Sequence, residues 1–185
     1  MIIGITGTDG AGKGTVVDYL VTEKGFVHYS ARSIWEEEFI KRGMESNRAN
    51  MRLVANELRA THGNDFLITY FYQKISAQRV ENAVIESVRA TAEAETLKKE
   101  GGILLAVDAN QKLRYERIVK RASSTDRVTF EEFTKQETLE MNDPDPHGMQ
   151  KAKVMQMADY TLYNNSTEEE LQQQVADVLK NAEGN

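Results

Sequence analysis

At 185 residues the chain has room for one domain with a real core and little room for a second. Its 40% hydrophobic and 28% charged residues are ordinary for a soluble globular protein, and the net charge of −6 argues against a general nucleic-acid binder. The absence of cysteine excludes disulfides, thiolate metal sites and cysteine nucleophiles, and no apolar run approaches a membrane span.

The chain begins with an apolar, β-branched run, Ile2 to Ile5, which reads as a buried strand. With no basic leader ahead of it, a cytoplasmic protein without a signal peptide is expected. Gly7, Gly10, Gly12 and Gly14 then surround Lys13, and Val16, Val17, Leu20 and Val21 recur at helical spacing. Strand, glycine-rich turn and helix in that order are the setting of a phosphate-binding P-loop. Glycines let backbone N–H groups face an anion, the helix adds its positive end, and Lys13 adds a mobile charge. The residues expected to hold the phosphates of a bound nucleotide are therefore Gly7, Asp9, Gly10, Ala11, Gly12, Lys13, Gly14 and Thr15.

Phe26 to Tyr29 reads as a second short strand, with Ser30 and Ser33 as N-caps for a helix carrying Ile34, Trp35, Phe39 and Ile40. Two more helical stretches follow, ending at Gly63 and beyond Ile75. Ala83-Val-Ile85 is the expected central strand, ending near Glu86. An alanine- and glutamate-rich helix runs from Ala90 to Glu100, and Ile103 to Val107 is a fourth strand ending at Asp108. The helix from about Asn110 to Ala122 is basic: Lys112, Arg114, Arg117, Lys120 and Arg121 stand against the single acid Glu116. Ser123 to Gln150 is the most polar internal stretch, with a capping box at Thr129-Phe-Glu-Glu132 and both prolines, Pro144 and Pro146, in a loop. Tyr160 to Tyr163 is the last strand and Thr167-Glu-Glu-Glu170 opens the last helix. Strands alternating with helices mean a parallel sheet covered on both faces. The expected fold class is α/β: one three-layer, doubly wound domain with a five-stranded parallel sheet and about eight helices.

Ligands of an open parallel sheet sit at the carboxyl ends of its strands. That rule selects Thr8 to Thr15, Ser30 to Ser33, Glu86 to Arg89, and Asp108. Glu86 stands where a P-loop enzyme needs an acid for Mg²⁺, directly or through water, unless it simply faces solvent. Arg89, at the opening of a helix, has the position to clamp a phosphate or to be a surface residue. Arg114, Arg117 and Arg121 share one helix face, and Arg127 follows; at least one of the four is expected to contact a phosphate. Arg52 and Arg59 lie within reach of an acceptor if they point inward. His28, His62 and His147 lack metal spacing, and Met141, Met149, Met155 and Met157 read as packing.

At these motifs the chain resembles the small P-loop kinases of nucleotides: adenylate kinase, thymidylate kinase and dephospho-coenzyme A kinase. Gly10-Ala-Gly-Lys-Gly-Thr15 is similar to the adenylate kinase loop. Asp9-Gly10 resembles thymidylate kinases, where the acid contacts the acceptor nucleotide. Val84-Ile-Glu-Ser-Val-Arg89 resembles the adenylate kinase strand end, which implies an acceptor-phosphate role for Arg89. Leu105 to Arg121 and Ala158-Asp-Tyr-Thr-Leu-Tyr-Asn164 look like dephospho-coenzyme A kinase, which implies a lid over the donor phosphates at about 112–150. Most P-loops carry serine or threonine directly after the lysine; here Gly14 stands there, so Mg²⁺ is expected to be held mostly by phosphates and water, with Thr15 and Glu86 as the residues near it. Tyr29-Ser-Ala-Arg-Ser-Ile-Trp35 departs from the acceptor motifs of these kinases, and Arg32 or Asp9 is the substitute. The resemblance implies ATP-dependent phosphoryl transfer to a small nucleotide-like acceptor. Lys13, Arg117, Arg121 and Arg127 then serve catalysis, Asp9, Arg32 and Arg89 the acceptor, and no membrane partner is involved. The alternative is a nucleotide-binding regulatory switch, although the guanine-reading Asn-Lys-x-Asp motif of GTPases is absent.

Overall fold

The computed structural model describes residues 1–121 and 128–183. The strands are β1 (Ile2–Gly7), β2 (Val27–Ser30), β3 (Ala83–Glu86), β4 (Ile103–Asp108) and β5 (Tyr160–Tyr163). All pair in parallel, in the order β2-β3-β1-β4-β5. The P-loop strand is thus central, with β3 on one side and β4 on the other, and the second strand runs one residue later than its apolar run suggests.

The helices are α1 (Lys13–Lys24), α2 (Ala31–Arg42), α3 (Arg48–His62), α4 (Phe66–Gln78), α5 (Thr91–Lys99), α6 (Gln111–Arg121), α7 (Phe130–Met141), α8 (Lys151–Gln156) and α9 (Glu168–Glu183). None among the described residues is long and apolar enough to cross a membrane.

Because strand side chains alternate between faces, each central strand serves two cores. Ile3 and Ile5 of β1, Val84 of β3, and Leu105 and Val107 of β4 face the layer of α1 and α9, against Val16, Leu20, Leu171 and Val175. Ala83 and Ile85 of β3 and Leu104 of β4 face the thicker layer of α2, α3, α4, α5 and α8, against Trp35, Phe39, Val54, Phe71 and Leu97. Gly4 belongs to that second face. A Cβ there would come within 2.3 Å of Leu97 Cδ2, so the missing side chain is what lets α5 close on the sheet.

Helices α6 and α7 belong to neither apolar layer. They pack on one another through Tyr115, Phe130 and Phe133, whose ring centroids lie 5.2 to 6.2 Å apart. Arg114 Cζ lies 5.6 Å from the Phe133 ring centroid, and Arg114 Nη1 donates to the Asp9 carbonyl at 3.1 Å, which joins this pair to the end of the sheet where the P-loop opens.

Candidate functional site

A cleft of about 870 Å³ opens at the carboxyl ends of the strands. On its floor are Asp9, Gly10, Gly12, Lys13, Gly14 and Thr15 of the P-loop. Gly10 and Gly12 take left-handed backbone, with φ of 78° and 99°. A Cβ would strike the Arg114 carbonyl oxygen at 2.5 Å from Gly10 and Asn164 Nδ2 at 2.2 Å from Gly12, so glycine is needed at both for conformation and for space. Lys13 Nζ donates to the carbonyls of Gly7, at 3.2 Å, and Thr8, at 2.8 Å, and lies 3.8 Å from Asp9 Oδ1. Burial lowers its pKa to about 8, helped by the nearby Lys151 and Arg89 cations and opposed by Asp9. Gly7 and Ala11 shape the loop from behind the cleft surface, and Ala11 is fully buried.

The β3 end forms the next wall. Parallel pairing sets Ser30 beside Glu86, and His28, two residues earlier on the same face, brings its Nε2 to 3.2 Å from Glu86 Oε2. This hydrogen bond holds the Glu86 carboxyl below the usual carboxylate range, against the opposing effect of burial. Ser87 then adopts φ 74°, unusual for a residue with a side chain, and Ser87 and Val88 both donate their N–H to the Ile5 carbonyl at 3.0 Å. The sharp turn aims Arg89 into the cleft. Its Nη1 meets the thioether of Met149 at 3.5 Å, and it makes no ion pair among the described residues. Arg32, exposed at the start of α2, lines the same cleft.

Arg117 and Arg121 of α6 line the same cleft, as their shared face predicts. Arg114 does not. It is buried, donates to the carbonyls of Ala109 and Asp9, and is paired with Glu137 of α7. Arg127 lies outside the described residues. Arg59, on α3, is spent on Glu93, whose carboxylate also accepts the backbone N–H groups of Arg89 and Ala90. Arg52 makes a two-pronged bond to Asp143 at 2.7 and 2.8 Å. Asp108, at the β4 end, accepts from Thr8 Oγ1 at 2.7 Å and holds the loop's shape.

Several participants carry no local signature. Met149, grouped with packing methionines by sequence, reaches the cleft wall beside Arg89. Lys151 is 1% exposed and joins Asp9, at 3.2 Å, to Glu140 of α7, at 2.7 Å. Asn164 bonds the P-loop carbonyl of Ala11. Trp35, Met51, Ala55 and Leu139 add apolar lining to the same cleft.

No group of three or more histidines, aspartates and glutamates among the described residues forms a metal cage. Mg²⁺ ordinarily keeps several waters and takes one or two carboxylates plus substrate phosphates. A strand-end carboxylate and the Thr15 hydroxyl beside a phosphate cradle fit that ion.

Residues 3–143 match a family model described as an AAA domain. A UPF0200 protein of Sulfurisphaera tokodaii is 32% identical over 180 residues, which is 97% of this chain and 96% of that one. Among solved structures, a shikimate kinase from Bacteroides thetaiotaomicron is similar with a TM-score of 0.61 at 17% identity, over 97% of this chain and 98% of that one. An uncharacterized protein from Eubacterium ventriosum gives 0.65 at 12% identity, over 100% and 99%. At such identities the structural likeness speaks for the fold, that of P-loop kinases. The chain belongs to the AAA domain family of P-loop proteins and to the family of the UPF0200 proteins.

Proposed function

We propose that this protein is a Mg²⁺- and ATP-dependent kinase that transfers the terminal phosphoryl group to a small, anionic, nucleotide-like acceptor. The observation that carries this reading is Arg89, a cation without an ion pair among the described residues, in the same cleft as the P-loop cradle. A protein that only binds a nucleotide needs one anion site, whereas this cleft offers Arg89 as a second, on a different element from Arg117. An acceptor anion at Arg89 and Arg32, with its body against Trp35, Met51 and Ala55, puts its nucleophilic oxygen toward the P-loop.

In this reading the P-loop amides from Gly10 to Thr15 hold the donor phosphates, with Gly7 and Ala11 shaping the loop. Lys13 exchanges the carbonyls of Gly7 and Thr8 for phosphate oxygens. The acceptor oxygen bonds to the terminal phosphorus as the bond to the diphosphate leaving group breaks. Charge spread over the transferring group is met by Arg117 and Arg121; Arg127, assigned the same role by the sequence, lies outside the described residues. Asp9, between Lys13 and Lys151, addresses the acceptor. Thr15 and Glu86 are the residues that would hold Mg²⁺, which would neutralise charge on the phosphate oxygens. The stretch 112–150, which contains α6 and α7, serves as the cover over the donor.

A screen of ATP consumption against nucleoside monophosphates, nucleosides, dephospho-coenzyme A and hydroxy acids such as shikimate tests this reading. Turnover stimulated by an anionic acceptor, abolished in Lys13→Ala and with a raised acceptor KM in Arg89→Ala, is the expected result. Tight ATP binding with no acceptor-stimulated turnover would instead indicate a nucleotide-controlled switch.

A further inference from the structure

Two arginines on one helix are treated differently. Arg114 is neutralised by Glu137, and its charge is used to hold α6, α7 and the P-loop together. Arg117, one turn later, is held among the described residues by neutral groups only, all of them on Asn164. Its Nη1 donates to the Asn164 carbonyl at 3.0 Å and its Nη2 to Asn164 Oδ1 at 3.3 Å, and no carboxylate pairs with it among the described residues. Two bonds from two nitrogens to one residue fix the plane of the guanidinium while leaving its charge intact. The Nε hydrogen and one hydrogen on each Nη remain for a ligand.

Asn164 is itself locked. It is 7% exposed, and its backbone N–H donates to the Asp108 carbonyl at 2.8 Å, which fixes it just beyond β5. Its Nδ2 donates to the Ala11 carbonyl at 2.8 Å. The amide nitrogen also fills the space where a side chain on Gly12 would stand. The amide orientation follows from its partners: a flipped group would set N–H against guanidinium N–H and oxygen against the Ala11 carbonyl. All four hydrogen-bonding groups of the residue are engaged, one on β4, one on the P-loop and two on Arg117.

We propose that Asn164 is a positioning residue that sets Arg117 in register with the P-loop, so that a charged but unneutralised guanidinium stands ready for the outermost phosphate of the bound nucleotide. The inference rests on the reading of the cleft as a triphosphate site. It adds to that reading a side chain that touches neither reactant. Asparagine suits the role because it presents a donor to the loop carbonyl and an acceptor to the arginine from one short side chain. Aspartate would bind Arg117 more strongly but neutralise it, and would turn an oxygen onto the Ala11 carbonyl.

The test compares Asn164→Ala, Asn164→Asp, Arg117→Ala and the Asn164→Ala/Arg117→Ala double variant. Two readouts are used: acceptor-stimulated turnover, and the ratio of affinities for a non-hydrolysable triphosphate and the matching diphosphate. Thermal melts restrict the comparison to folded variants. Asn164→Ala should lower kcat by roughly 100-fold, as expected for a misplaced catalytic group, with a smaller change in the KM for ATP. Asn164→Asp should be at least as impaired as Asn164→Ala although it is the closer isostere, an order that a merely structural role would reverse. The double variant should be no worse than Arg117→Ala alone. The preference for triphosphate over diphosphate should fall in every variant, and this readout needs no turnover. If the parent protein shows no turnover yet its triphosphate preference depends on Asn164, the kinase reading fails and the positioning role stands. Additive effects of the two single substitutions, or an Asn164→Asp protein with the parental triphosphate preference, would overturn it.

Discussion

Lys13 is the residue whose chemistry is most exposed to measurement. Burial lowers its pKa to about 8, so its charged fraction in the folded protein falls as pH rises through that value. A bound triphosphate brings negative charge to Nζ and pulls the pKa back up. Triphosphate affinity should therefore weaken as pH rises through about 8, and binding above that pH should take up a proton. Calorimetry in buffers of different ionisation enthalpy measures this directly, and Lys13→Arg should remove the proton uptake because arginine stays charged. A flat affinity profile with no uptake would separate Lys13 from the phosphates. At Glu86, the substitution Glu86→Gln keeps a partner for His28 but removes the carboxylate charge. The Mg²⁺ concentration needed for half-maximal turnover should rise, and an unchanged requirement would remove Glu86 from the metal's surroundings. The P-loop and the Glu86–Arg89 pair were legible in the sequence because each depends on local spacing after a strand. The partner of Glu86 was not. His28 joins it through strand pairing across 58 residues, which no local pattern encodes.

At the scale of elements, two glycines at the start of α1 behave oppositely. Gly14 lies in helical backbone, and a Cβ there meets nothing within 4 Å. Gly14→Ala should fold and stabilise the protein by up to about 1 kcal/mol through helix propensity. Gly12→Ala, with φ 99° and Asn164 Nδ2 at 2.2 Å, should destabilise it; thermal melts of the two variants read the contrast. The stretch from Asn142 to Gln150 reads as a loop in the sequence, and it is one. Its contacts were hidden. Asp143 takes Arg52, Asp145 takes Asn56, His147 takes Asn64, and the Gln150 N–H donates to the Arg89 carbonyl, so the loop straps α3 to the β3–α5 turn. Lys151 follows and ties Asp9 to Glu140. Removing it in Lys151→Met leaves two carboxylates without their shared buried cation and should cost about 3 kcal/mol, measured by denaturant unfolding. Helical periodicity placed Arg114, Arg117 and Arg121 on one face correctly. What separates their fates is Glu137 on α7, and its pairing with Arg114 is a tertiary fact.

For the whole molecule, alternating strands and helices were enough to give a parallel sheet with two covered faces, because sheets buried on both sides write continuous apolar runs. The order β2-β3-β1-β4-β5 gathers the ends of β1, β2 and β3 on one cleft. That arrangement brings Lys13, Glu86 and Arg89 into one cleft, where we place the phosphate cradle at Lys13 and the second anion site at Arg89. The identity of the proposed acceptor was not legible. It depends on the wall formed by Trp35, Met51, Ala55, Leu139 and Met149, residues from α2, α3, α7 and the strap that meet only in the folded chain. The measurement that tests the central claim most directly is ATP turnover with and without an anionic acceptor, in the parent protein and in Arg89→Ala. Acceptor-stimulated ADP release, with the stimulation lost or shifted to much higher acceptor concentration in Arg89→Ala, is the predicted result. ATP binding with equal, unstimulated turnover in both proteins across the acceptor panel would contradict it.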